Sequence, residues 1–103
     1  MALPARDHRI TVDHAAELTK RFRASAPKGE LLAGTFHAMQ VLELLQQNDC
    51  VALRVYHGLD DTGESTLVLV GVDDTDQDMA KGMILQLPYR CPPICGVSSP
   101  LGP

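Results

Sequence analysis

The chain has 103 residues, of which 45% are hydrophobic and 21% are charged. This composition is typical of one folded domain with a single hydrophobic core, and it excludes an intrinsically disordered protein. The formal net charge of −4 argues against the basic surface with which proteins hold nucleic-acid phosphates.

We expect a soluble cytoplasmic protein that has no membrane partner. Residues 1–9 are too polar to contain the apolar part of a secretory signal, and no apolar run approaches the length of a membrane span. The chain contains three cysteines. Because disulfides are rare in the cytoplasm and the number is odd, free thiols are the expected state.

The first predicted element is a helix of about 12 residues that follows Thr11, a residue type that suits the N-cap. Asp13 in its first turn complements the positive end of the helix dipole. Residues 26–29 (APKG) end the helix. Its apolar face is formed by Val12, Ala15, Leu18 and Phe22.

A second helix is predicted to begin at Gly34 and Thr35 and to end near Asn48. Its apolar stripe makes it the more buried of the two helices. The stripe consists of Ala38, Val41, Leu42 and Leu45, broadened by Met39 and Leu44.

From Cys50 the apolar period changes from helical to two, which predicts a half-buried strand. Residues 67–72 form a second, nearly continuous apolar strand, and residues 60–64 (DDTGE) suit a turn with Gly63 in the left-handed conformation. These two strands and the turn between them predict an antiparallel hairpin. In the first strand, Val51, Leu53, Val55 and His57 face one way and Ala52, Arg54 and Tyr56 face the other.

The segment 58–65 (GLDDTGES) recurs loosely as 71–78 (GVDDTDQD), which indicates a β-meander whose turns use the same chemistry. Asp76 replaces the turn glycine in the second copy, and we expect it to weaken or lengthen that turn. Residues 83–87 alternate as a third strand, which Pro88 ends.

These elements predict an α+β domain over residues 1–87. Its two N-terminal helices pack on one face of a three-stranded antiparallel β-meander, and the Pro- and Cys-rich tail of residues 88–103 folds back on the same domain. The opposite face of so small a sheet needs cover. A second copy of the chain is a plausible cover, so a homodimer is predicted.

Cys91 and Cys95 form the candidate thiol pair, and their chemistry stays open between three interpretations. Free thiols that brace the tail are favoured, because Pro92 and Pro93 stiffen the backbone and thiols pack as small apolar groups. A local disulfide needs a cis X-Pro bond or a turn between the thiols. Zinc needs two further ligands. These would come from Cys50 and one of His8, His14, His37 and His57.

His57 is the other candidate for chemistry, since it lies near the hairpin end opposite Leu67 or Val68, with aspartates nearby. A partly buried structural histidine is the favoured interpretation, because no nucleophile has a fixed sequence relation to it. Residues 74–78 (DTDQD) begin like a calcium loop but lack the required later Gly and Glu, so a solvated acidic turn is predicted.

Several segments together resemble a group of small uncharacterised bacterial proteins that end in a C-P-P-x-C-G tail. They are residues 10–13 (ITVD), 55–60 (VYHGLD), 67–73 (LVLVGVD) and 91–96 (CPPICG). The resemblance implies no known activity, cofactor or catalytic residue. Asp76 departs from the turn glycine expected in that pattern.

A small non-enzymatic binding or protein-interaction module is therefore the predicted function, with a protein partner or self-association and without nucleic acid, membrane or cofactor. The alternative is a thiol-based redox or metal-binding protein that acts through Cys91 and Cys95, with Cys50 or His57 as additional members. A hydrolase that uses His57 and an aspartate is a third hypothesis, and it requires a pocket around His57.

Overall fold

The structure is a computed structural model that describes residues 3–103. Its elements are α1 (Val12–Ser25), β1 (Ala33–Thr35), α2 (Ala38–Leu45), β2 (Ala52–Leu59), β3 (Ser65–Val72), β4 (Ile84–Leu85) and β5 (Tyr89–Cys91). The chain groups into two compact units. The first contains Phe36–Pro88 with residues 3–5, and the second contains Arg6–Thr35 and Tyr89–Pro103.

The first unit contains a three-stranded antiparallel sheet with the strand order β2-β3-β4. This is the predicted meander, and its hairpin register places His57 opposite Leu67, one of the two neighbours expected. The α+β class is thereby confirmed. The third strand is shorter than predicted, since Leu87 has a positive φ of 68° and no longer continues the ladder.

The two turns of the meander are built in the same way, as the internal echo predicts. In each turn the Oδ1 atom of the first aspartate accepts two backbone N–H groups and one threonine hydroxyl, which satisfies the donors that a tight turn leaves unpaired. Asp60 accepts from Thr62 (2.9 and 2.7 Å) and Glu64 (3.0 Å), and Asp73 accepts from Thr75 (2.9 and 2.7 Å) and Gln77 (3.1 Å).

Asp76 does not lengthen the second turn. It adopts a φ of 66°, close to the 84° of Gly63, and each turn closes with matching backbone bonds. Aspartate tolerates the left-handed region better than most residues. The sequence echo therefore extends to the backbone conformation of the replaced glycine.

Helix α2 packs on β3 and β4, and Leu44 is its buried residue, with 0% of its surface exposed. The helix is shorter than predicted at both ends. Gly34 and Thr35, expected to begin it, instead lie in β1. The predicted stripe is also shifted, since Met39 is 71% exposed while Leu44 occupies the core. The buried residues of β3 are Thr66, Leu69, Val70, Gly71 and Val72.

The second unit contains a two-stranded sheet that sequence patterns missed. Ala33 lies opposite Cys91 and Thr35 lies opposite Tyr89 in an antiparallel pair. Three-residue strands carry no readable alternation, so only pairing across the length of the chain reveals them. The expected packing of the tail on the three-stranded sheet, and the domain boundary at residue 87, stay predictions.

Helix α1 also belongs to the second unit, and its N-terminus is the predicted one. Thr11 Oγ1 accepts the N–H of His14 at 3.1 Å, as an N-cap should. No residue of α1 is buried, although its apolar face was expected to enter a core. In the part of the chain that the structure describes, no helix has both the length and the apolar character needed to cross a membrane.

Replacement of the fully buried Leu44 by Ala should lower the free energy of unfolding by about 2–5 kcal/mol, because a cavity remains where the side chain packed. Leu42→Ala on the same helix is the matched control, since Leu42 is half exposed and should lose less than about 1 kcal/mol. Urea denaturation of both variants measures the difference. Equal losses would contradict the assignment of Leu44 to the core.

Candidate functional site

The second unit contains an open cavity with a volume of about 640 Å³. This volume lies within the range of about 300–1,000 Å³ that is typical of small-molecule sites. Among the described residues that line it, Arg23 carries the one charged side chain. The apolar walls are formed mainly by Leu18, Phe22, Leu32, Ile94 and Leu101. The cavity therefore offers an apolar surface with a single cationic group at its wall.

The spacing of residues in α1 explains why this helix contributes both apolar and polar side chains to the cavity wall. Leu18 and Phe22 are four residues apart and lie one turn above the other on the same face, as do Thr19 and Arg23 beside them. Leu18 and Phe22 stay about half exposed because the space next to them is open. Two of the four residues of the stripe predicted to enter a core, Leu18 and Phe22, instead line a cavity.

A bond from Arg23 connects the C-terminal tail to α1. Its Nη1 atom donates to the carbonyl oxygen of Leu101 at 2.7 Å and lies 3.4 Å from the Thr19 hydroxyl oxygen. A charged donor makes a stronger hydrogen bond than a neutral one. This bond holds Leu101 at the wall of the cavity.

Cys91 and Cys95 are joined by a disulfide, and both residues line the cavity. Their Cα atoms are 4.7 Å apart, within the range that a disulfide requires. The Ile94 N–H donates to the Arg90 carbonyl oxygen at 2.7 Å, which closes the segment as a turn. The peptide bonds before Pro92 and Pro93 are both cis.

The disulfide corrects the expectation of free thiols at Cys91 and Cys95. That expectation rested on the cytoplasmic context and on the extended backbone that a double proline favours. The turn closed by Ile94 and Arg90 overrides the second argument, because it folds the five-residue segment back on itself. Cys91 is buried. The bracing role expected of the two cysteines stays a prediction.

The other two sequence candidates lie in the first unit. Cys50 is a free, half-buried cysteine whose thiol donates to the carbonyl oxygen of Ala52 at 3.4 Å. Its sulfur packs against Gly71, where an added Cβ would come within 2.9 Å of it. His57 is exposed on β2 and does not line the cavity. Among residues 3–103, no group of three or more His, Cys, Asp or Glu side chains is arranged to hold a metal ion.

A polar cluster in the first unit escaped sequence reasoning. Arg54 on β2 donates to Asp78 at 2.7 Å and to Asp76, and the hydroxyl of Tyr56 donates to the second oxygen of Asp78. We call these four residues the Arg54 cluster. The sequence alternation predicted that Arg54 and Tyr56 share one face of β2. It did not predict that Asp76 and Asp78, from the acidic turn of residues 74–78, would bind them. The acidic turn is thus held to β2 by these bonds.

The contacts of the cluster shift the pKa of its members in opposite directions. The hydrogen bond from Tyr56, followed by the bond and charge of Arg54, lowers the pKa of Asp78. The same bond to Asp78 raises the pKa of Tyr56, because ionisation would lose the donated proton. The two carboxylates raise the pKa of Arg54.

Comparison of the chain with protein-family models, with curated proteins and with solved structures gave no match. The resemblance to proteins with a C-P-P-x-C-G tail therefore stays a prediction.

Reduction of the Cys91–Cys95 disulfide should lower the free energy of unfolding by about 2 kcal/mol, the chain-entropy value for so short a loop. Urea denaturation with and without a phosphine reductant measures the loss. Mass spectrometry after alkylation of the unfolded, unreduced protein should find one reactive thiol, Cys50. Three reactive thiols would contradict the disulfide. Cys50→Ser is the control, and its loss on reduction should equal that of the wild type.

Replacement of Asp78 by Asn should lower the pKa of Tyr56 toward the ordinary value of 10.0, because the charged acceptor of its proton is lost. Ultraviolet titration of the phenolate measures this shift, and Tyr56→Phe separates Tyr56 from Tyr89. In the wild type, the hydrogen bond that raises the pKa of Tyr56 stabilises the fold below a pH of about 10. This contribution disappears as the pH rises through the pKa that Tyr56 has in the folded protein. An unchanged titration of Asp78→Asn would contradict the bond.

The lowered pKa of Asp78 has the opposite consequence. Its contribution to stability is present above the unfolded value near 3.8 and is lost as the pH falls through the lower folded value. The same Asp78→Asn variant should therefore show a weaker dependence of its unfolding free energy on pH in acid.

Proposed function

We propose that the chain is a small non-enzymatic binding module whose binding site is the cavity of the second unit. The ligand is a small molecule, or a single side chain of a protein partner, with a mainly apolar surface. The observation that carries this proposal is the apolar wall of a cavity of about 640 Å³. Burial of apolar surface contributes about 25 cal/mol per Å², so such a wall can supply most of the binding free energy.

The charges of the cavity support binding rather than catalysis. General acid–base and nucleophilic catalysis need titratable groups that converge on one point. The charged side chain at the cavity wall is that of Arg23, and a guanidinium has hydrogen-bond donors but no acceptor, so it does not serve as a general base. Arg23 is thus suited to orient a polar atom of a ligand, while the apolar walls hold the rest.

A thiol-based redox role is the second candidate, and the disulfide at the cavity wall favours it. A dithiol donor would reduce the Cys91–Cys95 bond with two electrons and two protons, and the donor itself would become a disulfide. In the proposed cytoplasmic location disulfides are uncommon, and those that form are usually transient and catalytic or redox-sensing. Cys50 and His57, the additional members predicted for this role, are not among the residues that line the cavity.

The proposed partners are proteins, including a second copy of the chain, and exclude nucleic acid. The formal net charge of −4 supports this, because phosphate contacts need a basic surface. The bracing of the tail also belongs to the proposal: the disulfide and the Arg23–Leu101 bond each hold one part of the cavity wall.

Titration of the protein with the apolar fluorophore N-phenylnaphthylamine tests the binding proposal. We expect saturable enhancement of its fluorescence, and Leu18→Asn should weaken the affinity roughly tenfold, since a leucine contact is worth about 1.5 kcal/mol or more. Met39→Asn is the matched control, because Met39 is an exposed apolar residue of the first unit. Its affinity should equal that of the wild type.

Two outcomes separate the candidate functions. Equal weakening by Leu18→Asn and Met39→Asn, or no saturable binding, would remove the cavity as a binding site. Loss of binding after reduction is expected under both proposals, because the disulfide holds part of the cavity wall. Catalytic oxidation of a dithiol donor at the expense of a second disulfide would instead favour the redox role. In that case the variant with both Cys91→Ala and Cys95→Ala should lose this activity.

A further inference from the structure

Strand β2 is an edge strand of the three-stranded sheet, and its outer side has no strand partner among the described residues. Such an edge presents a row of N–H and C=O groups that can pair with another chain. Val55 is 50% exposed and Leu59 is 73% exposed on this strand. The edge therefore combines unpaired backbone groups with exposed apolar side chains.

The register with β3 shows which residues face outward. Asp60 donates its N–H to Glu64 at 2.8 Å and continues the hairpin register of Leu59 opposite Ser65. In an antiparallel ladder, successive residues alternate between facing the partner strand and facing away. The residues whose backbone groups point outward are Leu53, Val55, His57 and Leu59.

We propose that this outer edge pairs antiparallel with the same edge of a second copy of the chain, across a two-fold axis at Tyr56. In this register Leu53 lies opposite Leu59 of the partner subunit, and Val55 lies opposite His57 of the partner subunit. Each outward residue then donates its N–H and accepts at its carbonyl. The two three-stranded sheets become one continuous sheet.

Two neighbouring registers, those with Arg54 or Val55 on the two-fold axis, are less favourable. A shift that places Arg54 on the two-fold axis opposes two like charges. A shift that places Val55 on the axis requires Val51 to pair with Leu59 of the partner subunit. The Val51 N–H already donates to the Val72 carbonyl oxygen at 2.8 Å, so it is not available.

The composition of β2 also favours pairing. Protected edges usually carry lysine, proline or an inward charge. Strand β2 (ALRVYHGL) has neither lysine nor proline, and Asp76 and Asp78 hold its single charge, that of Arg54. Isologous pairing of one strand needs a self-complementary surface, and the apolar side chains of Leu53, Val55 and Leu59 are suited to pack against their own copies.

The dimer and the cavity use different residues, since no residue of β2 lines the cavity. A strand pair of this length buries less than the standard interface of about 1,600 Å². We therefore expect an association that depends on concentration, with a dissociation constant in the range of about 1–100 μM.

Sedimentation equilibrium over this concentration range should show a monomer–dimer equilibrium. Val55→Lys and Leu59→Lys should each raise the dissociation constant at least about tenfold, because each places two charges at the interface. Met39→Lys is the matched control, since Met39 is 71% exposed on α2, and its dissociation constant should not change. A monomer at all concentrations, or a dimer unaffected by both edge variants, would overturn the proposal.

Cross-linking tests the register in a Cys50→Ser background. A mixture of the Leu53→Cys and Leu59→Cys proteins should form a covalent dimer on mild oxidation, because directly opposed residues have Cα atoms about 5.5 Å apart. Neither variant alone should cross-link, since each cysteine then faces a leucine. Efficient cross-linking of one variant alone, or none in the mixture, would overturn the proposed pairing.

Discussion

Antiparallel pairing of β1 with β5 joins the segment after α1 to the start of the C-terminal tail. This contact brings Ala33 opposite Cys91, and the Leu32 N–H donates to the Cys91 carbonyl oxygen at 2.8 Å beside it. With the backbone of Cys91 held, the turn that follows can close onto Cys95, and the tail can return to Arg23. The cavity walls come from these same segments, so the second unit and its candidate site depend on one short strand pair.

The first unit is organised by local turn chemistry instead. Asp60 and Asp73 each collect three hydrogen bonds from residues within four positions, which sets the geometry of both turns without help from distant residues. One aspartate in the second turn, Asp76, then has two roles. Its backbone occupies the left-handed position of the turn, and its carboxylate holds Arg54. Replacement of a turn glycine by aspartate thus links the turn to the edge strand.

The two proposed surfaces differ in the physical basis of their binding. The cavity offers apolar side chains with one fixed positive charge, which favours a ligand that is mostly apolar. The edge of β2 offers backbone hydrogen bonds, whose geometry selects an extended strand, with apolar side chains adding affinity. Ligand binding and self-association therefore use separate residues of the chain, and substitutions can affect each one alone.

The sequence by itself determined the elements whose hydrogen bonds are local: the helix that begins after Thr11, the hairpin of β2 and β3, and the repeated turn. These are readable because capping, alternation and turn residues act within a few positions. Tertiary structure alone decided the β1–β5 pair, the later start of α2, the disulfide of Cys91 and Cys95, and the partners of Arg54. Each of these depends on residues that are far apart in sequence or on a turn that overrides the local preference for extended backbone. Residue patterns therefore predicted the cysteines of the candidate site, while the pairing of β1 with β5 formed the cavity that they line.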